Sequence, residues 1–199
     1  DKAFAESLQK SLLGRSYSVT RLEKATKKQN PPAAYDLTEL QRDANKRYGY
    51  SAKQTLSLMQ SLYEYHKVLT YPRTDSRYIT DDIVATLPER LRAMAVGPYQ
   101  ASAMRLARGK IETKFIVNNA KVSDHHAIIP TEQSPNLSKL SYDERNIYDL
   151  VVRRFMAVLS EPFQHDEVKI EIAADKGSFF AKGKTPVKQG WKEFYGNLD

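Results

Sequence analysis

Tyr71, Arg73 and the run Thr74-Asp75-Ser76 fall within one short stretch, Leu69-Thr-Tyr-Pro-Arg-Thr-Asp-Ser-Arg-Tyr78. A phenolic oxygen becomes a nucleophile when it loses its proton, and a guanidinium stays protonated and can grip two oxygens of one phosphate. Pro72 presets its own φ and pushes Tyr71 toward an extended conformation. In extended chain, residues two apart leave the same side of the backbone, so Tyr71 and Arg73 are expected to face one substrate. Phosphate chemistry suits that pairing. A free tyrosine titrates near pH 10, and a neighbouring cation that neutralises the phosphate supplies part of the activation needed near neutral pH. Tyr-Pro turns are common, and this chain has 12 tyrosines, so the longer strings around Tyr71 carry more weight than the pair.

Those strings read Ser51-Ala-Lys-Gln-Thr-Leu56, Gln60-Ser-Leu-Tyr-Glu64 and Val68-Leu-Thr-Tyr-Pro-Arg-Thr-Asp-Ser76, followed far along by Ser123-Asp-His-His-Ala-Ile-Ile-Pro-Thr131. Together and in this order they resemble the two signatures of type IA DNA topoisomerases. Pro72 and the His-His-Ala-Ile-Ile-Pro-Thr string look more like the bacterial topoisomerase III branch than topoisomerase I, with topoisomerase I and reverse gyrase as further candidate parents. The resemblance covers nearly the whole chain and is strongest over 36–78 and 122–131.

What the resemblance implies is an ATP-independent isomerase that cuts one DNA strand, holds it as a 5′-phosphotyrosyl intermediate, passes another strand and reseals. Tyr71 would be the nucleophile, Arg73 the phosphate-binding cation and His125 the histidine that helps hold the phosphate. The family string aligns through Ala127, Ile128 and Pro130, which selects His125 and leaves His126 at a variable site. Asp75, with Thr74 and Ser76, would fix the local hydrogen bonding, and Arg77, Gln60 and His126 would contact DNA. Either histidine could instead be a loop residue bonded locally. The His-His pair has no further His, Cys or carboxylate cluster at ligand spacing, so no metal site is expected here. Mg2+ and the catalytic glutamate are expected in a toprim domain of the parent enzyme. The chain is therefore read as a central fragment that by itself does not relax DNA. It would retain salt-sensitive binding to single-stranded DNA.

The composition agrees with an anionic partner. The chain of 199 residues carries a net charge of +7 and 41% apolar residues, enough for a real core. No apolar run approaches the roughly 20 residues that span a bilayer, and no leader opens the chain, so it reads as cytoplasmic, with no membrane partner. The absence of cysteine excludes disulfides and thiolate metal sites within it. Asp1 in place of Met and the stop at Asp199 suggest an excised piece.

The elements that must position Tyr71 follow from periodicity. Phe4, Leu8 and Leu12 predict a helix over 2–13, stopped by Gly14, and 16–25 reads as a strand. Lys27-Lys-Gln-Asn-Pro-Pro32 is linker chemistry and a domain boundary. Asp36-Leu-Thr-Glu39 outlines a capping box for a helix carrying Leu37, Leu40, Ala44 and Tyr48 up to Gly49, and Ser51 opens a second helix. That helix-turn-helix leaves open an alternative, a DNA-binding module without catalysis. Its second helix carries Lys53, Gln54, Gln60 and Glu64, a thin basic complement for reading bases, so support of the tyrosine segment is the expected role. Thr80 is expected to cap a helix at Asp81-Asp82, Pro88 to begin another turn or helix, and 99–107 to form a third helix ending at Gly109. Residues 114–131 read as mostly extended or irregular. Ser141-Tyr-Asp-Glu144 outlines a capping box for a long helix through Val158, with Arg153 and Arg154 as interhelical or surface charges. From Glu167 the period changes to two, with a turn at Asp175-Lys-Gly177 and a return through Phe179, and Trp191 and Phe194 read as a last strand.

The expected fold is α+β and mainly helical. A helical catalytic domain with the helix-turn-helix, residues 35–160, is inserted between two arms of a β-rich gate domain, 1–34 and 161–199.

Overall fold

A computed structural model of the chain describes residues 1–174 and 177–196. It has six α-helices and a three-stranded antiparallel sheet, an α+β architecture. The helices are α1 (Lys2–Leu12), α2 (Leu37–Tyr48), α3 (Ala52–Gln60), α4 (Leu87–Ala93), α5 (Gln100–Arg108) and α6 (Tyr142–Val158); the strands are β1 (Ser18–Gln29), β2 (Phe163–Ala174) and β3 (Gly177–Lys188). The chain divides into two compact units, one of residues 1–29 and 163–188, the other of 30–162 and the segment from Gln189.

In the first unit the sheet order is β1-β2-β3. The period of two seen from Glu167 places Val168, Ile170 and Ile172 opposite Lys24, Leu22 and Val19 on one side, and opposite Gly183, Ala181 and Phe179 on the other. Asp175 and Lys176 of the expected turn lie outside the described residues. Helix α1 is capped by the Asp1 carboxylate, which accepts from the Ala3 N–H, and Gly14 comes after it with φ +75°. Leu8, Leu12, Leu13, Tyr17, Ile172 and Phe179 line an apolar groove within this unit.

The second unit holds most of the core: Leu40, Ala44, Met59, Leu62, Leu69, Leu91, Ile147, Val151 and Phe155 are all buried. Three caps set its helices. The Asp36 carboxylate accepts from the Glu39 N–H at 2.7 Å, Ser51 Oγ from the Gln54 N–H at 3.1 Å, and Ser141 with Glu144 completes a reciprocal capping box. Gly49 closes α2 at φ +72°, a left-handed geometry that costs glycine nothing. Helix α3 packs on α6, and its Thr55 and Met59 are buried.

Three local expectations change. Lys27, Lys28 and Gln29, expected as linker, end β1 and pair with His165, Gln164 and Phe163 of β2. Thr80 precedes a 3-10 helix, Asp81–Thr86, but its side chain makes no cap; Asn119 Oδ1 takes the Asp81 N–H at 2.9 Å instead. Trp191 and Phe194 lie in a 3-10 turn, Gly190–Phe194, rather than a strand. Gly190 at φ +51° breaks the extended chain, the Trp191 N–H donates to the Glu161 carbonyl at 3.0 Å, and Arg153 Nη1 donates to the Phe194 carbonyl at 2.6 Å. Residues 189–196 thus group with the helices, whereas the returning arm was expected to run from 161 through the end.

Candidate active site

The tyrosine segment is extended and has no regular element of its own, so its position depends on neighbours. Val68 and Leu69 are buried, and Leu69 bridges antiparallel to Pro130. The Thr70 N–H donates to the Ile129 carbonyl at 3.0 Å and the Thr131 N–H to the Val68 carbonyl at 3.1 Å. Thr70 Oγ1 donates to the Ala127 carbonyl and accepts from the Ile129 N–H. On its other side the 127–131 segment bridges to Tyr35, with the Ile128 N–H donating to the Tyr35 carbonyl at 2.8 Å. The two strings singled out in the sequence are therefore laced together, edge to edge.

Past Tyr71 the burial alternates. Pro72, Thr74 and Ser76 are buried, while Arg73 and Asp75 are exposed and Tyr71 is half-buried. This is the period of extended chain, and it puts the phenol and the guanidinium on the open side. Thr74 Oγ1 donates to the His125 carbonyl at 2.9 Å and accepts from the Ser76 N–H, and Ser76 Oγ donates to the Lys121 carbonyl at 2.8 Å. The local hydrogen bonding expected of Asp75 is thus made by Thr74 and Ser76, because their side chains point inward and that of Asp75 points to solvent. Arg73 forms no hydrogen bond or ion pair among the described residues, which leaves its guanidinium available to an anion. Arg77 is half-buried and its Nε donates to the Ala34 carbonyl at 3.1 Å.

The two expected catalytic rings meet. The rings of Tyr71 and His125 have centroids 4.2 Å apart and are tilted by 37°. His125 is exposed and His126 half-buried. The nitrogen Nδ1 of His126 lies 2.7 Å from the Ala127 carbonyl, and burial pushes its imidazole below the usual histidine range. Thr70, Tyr71, Thr80, Asp82, His125 and His126 are among the residues lining a cavity of about 290 Å³. Gln60, expected to contact DNA, ends α3 half-buried. Among the described residues no three His, Cys, Asp or Glu side chains are grouped to hold a metal ion.

Sequence reading missed Tyr63, whose ring meets that of Tyr71 edge-on at 5.5 Å and 79°. It also missed the cluster behind it. Glu144 Oε1 accepts from Ser61 Oγ at 2.6 Å and lies 3.3 Å from His66 Nε2. Burial pushes the Glu144 carboxyl up, but the bonds from Ser61 and Ser141 and the charge of His66 outweigh it and hold the group below the usual glutamate range. The Glu144 capping signature was visible, yet nothing in the spacing says that one carboxylate serves both a helix start and a distant turn.

Residues 1–199 match the family model described as DNA topoisomerase. The chain is 52% identical over 198 residues to DNA topoisomerase 3 of Bacillus cereus strain ATCC 14579, covering 99% of the chain and 27% of that protein. It is 53% identical over 189 residues to DNA topoisomerase 3 of Bacillus subtilis strain 168, covering 94% of the chain and 26% of that protein. Full-length topoisomerase I from Thermotoga maritima shares the fold with a TM-score of 0.70 at 22% identity, over 97% of this chain and 32% of that one. The chain spans about a quarter of the length of the curated relatives it matches.

Proposed function

Because the chain belongs to the type IA DNA topoisomerase family and is most like its topoisomerase III members, we propose that it is the tyrosine-bearing part of an enzyme that cuts and reseals one DNA strand without ATP. Tyr71 Oη gives up its proton and attacks the scissile phosphorus, the bond to the 3′ oxygen breaks and that oxygen takes up a proton, and the 5′ phosphate stays on the tyrosine. The new phosphodiester keeps the energy of the old one, and the 3′ hydroxyl reverses the step by attacking the phosphotyrosine. Arg73 neutralises the phosphate as charge grows on its oxygens, an effect strongest where donors are fixed in advance. His125, laid against the nucleophile, shares the phosphate.

The observation that carries this reading is the 4.2 Å contact between the Tyr71 and His125 rings on the same open side as an uncommitted Arg73. The helical unit would be the catalytic domain and the sheet unit part of a gate domain into which it is inserted. No group of His, Cys, Asp or Glu side chains among the described residues could hold a metal ion; a parent enzyme would hold Mg2+ in a toprim domain. The chain alone would bind single-stranded DNA through its excess positive charge without relaxing it.

The direct test mixes the parent enzyme with end-labelled single-stranded DNA and Mg2+, denatures and digests the mixture, and maps the linked peptide by mass spectrometry. A 5′ adduct on Tyr71 is expected. An adduct on another residue, or none where DNA binds, removes the assignment; binding that favours one duplex sequence would then support the helix-turn-helix reading.

A further inference from the structure

Helix α3 does not simply stop before the tyrosine segment. It passes into a π turn, Ser61–Tyr65, closed by the His66 N–H donating to the Ser61 carbonyl at 3.0 Å. The extra residue in such a turn rotates the chain beyond it by about 100° relative to a regular helix. Lys67 then takes φ +57°, the only non-glycine residue at positive φ among the described residues, and the Val68 N–H returns to the Leu62 carbonyl at 3.0 Å. Left-handed lysine and a π turn both cost free energy, so something must hold them.

Thr131 Oγ1 holds Lys67 by donating to its carbonyl at 2.7 Å, and Glu144 holds the π turn. Through Oε1 it binds Ser61 at the start of the turn and faces His66 at its end, and through Oε2 it accepts the Ser141 N–H at 2.7 Å. The turn is thereby tied to the first residues of α6, the longest helix of the unit. What it presents is Tyr63, a ring that is 37% exposed and meets the Tyr71 ring edge-on. A buried ring would need no explanation beyond packing. An exposed one, held by an irregular turn against the proposed nucleophile, has little to gain from packing alone.

We propose that Tyr63 is a positioning residue for Tyr71. Its ring, with that of His125, confines the Tyr71 side chain to the orientation in which its oxygen meets the phosphate, and so raises the rate of attack without adding affinity for DNA. The proposal rests on the reading of Tyr71 as nucleophile. Edge-to-face ring pairs have preferred geometry as well as contact area, and restricting one rotor of a nucleophile acts on the rate when misplacement is the alternative.

The test uses the parent enzyme with Tyr63→Ala and Tyr63→Phe, measuring single-turnover formation of the Tyr71 adduct at saturating single-stranded DNA with Mg2+. Affinity is measured separately in a Tyr71→Phe background, and melting temperature checks the fold. Tyr63→Ala should slow adduct formation roughly threefold to tenfold with affinity and melting temperature nearly unchanged, and Tyr63→Phe should restore the rate, since the ring and not the hydroxyl makes the contact. An unchanged rate for Tyr63→Ala would overturn the proposal. So would lost affinity at an unchanged maximal rate, which would make Tyr63 a stacking platform for DNA, or a Tyr63→Phe enzyme as slow as the alanine one. If the unsubstituted enzyme forms no adduct on Tyr71, the reading of function falls and the proposal with it; in every other case the two are judged separately.

Discussion

The hydroxyl of Thr74 donates to the main-chain carbonyl of His125 at 2.9 Å. The residue three beyond the proposed nucleophile therefore holds the backbone of the proposed phosphate-binding histidine, and neither can shift without the other. Thr74 is 8% exposed and also accepts from the Ser76 N–H. Thr74→Val keeps the shape and deletes both bonds, leaving buried polar groups unpaired at about 1–3 kcal/mol. Denaturant unfolding should show a loss of that size, and adduct formation should slow by more than the Thr74→Ser variant, which keeps the hydroxyl.

At the site itself, Tyr71→Phe should abolish the covalent adduct while DNA binding persists. Arg73→Ala should reduce the cleavage rate by about a hundredfold or more, the scale seen when one fixed donor to a developing charge is lost. Because Arg73 is exposed, its removal should leave the thermal midpoint unchanged. Gel assays of adduct against binding assays on the same variants separate the two effects.

Arg154 predicts a different outcome, a loss of stability. It is 9% exposed and donates to the Asp43 carboxylate at 2.8 Å, to Tyr35 and Tyr195 hydroxyls at 3.1 and 2.9 Å, and to the Ala33 carbonyl at 3.1 Å. Arg154→Ala would leave the Tyr195 hydroxyl and the Ala33 carbonyl without this donor, while Tyr35 keeps its bond to the 30% exposed Asp43 carboxylate, so the loss should be about 1–3 kcal/mol. Asp43→Asn combined with it should cost less than the sum of the two, as expected for groups sharing one network. Urea titration of the four proteins checks this.

Acid should destabilise the helical unit in two windows. His126 has its pKa depressed by burial, so below the ordinary value of 6.5 the unfolded chain binds a proton that the folded one refuses. Stability is then present above pH 6.5 and lost as pH falls toward the folded pKa. Glu144 is also depressed, so its contribution is present above the ordinary 4.5 and lost as pH falls further. His126→Asn should flatten the stability profile in the upper window only, and Glu144→Gln in the lower only, as read by thermal melts from pH 7 to 3.

The elements that announced themselves did so through local chemistry. Asp36, Ser51 and Ser141 mark helix starts because a short acceptor side chain answers free N–H groups wherever it stands, and the alternation of Val168, Ile170 and Ile172 marks a strand because side chains on a pleat alternate. The strings naming Tyr71 and His125 were legible only as a resemblance, since nothing in their spacing says that their rings would touch. The π turn left no trace, because one added residue inside an apolar stripe is invisible to periodicity. Arg154 read as an interhelical or surface charge. It does bridge helices, but its burial depends on partners that lie far off in the chain. Trp191 and Phe194 looked like a strand because aromatic composition suits both strands and packed turns, and Gly190 decided the matter.

That glycine has a mechanical consequence. A Cβ at Gly190 would lie 2.5 Å from the carbonyl oxygens of both Glu161 and Pro162, so the backbone re-entering the helical unit runs flush against the backbone leaving it. Pulling the two backbones apart would load the bond from the Trp191 N–H to the Glu161 carbonyl at 3.0 Å. A side chain at position 190 would wedge that seam open.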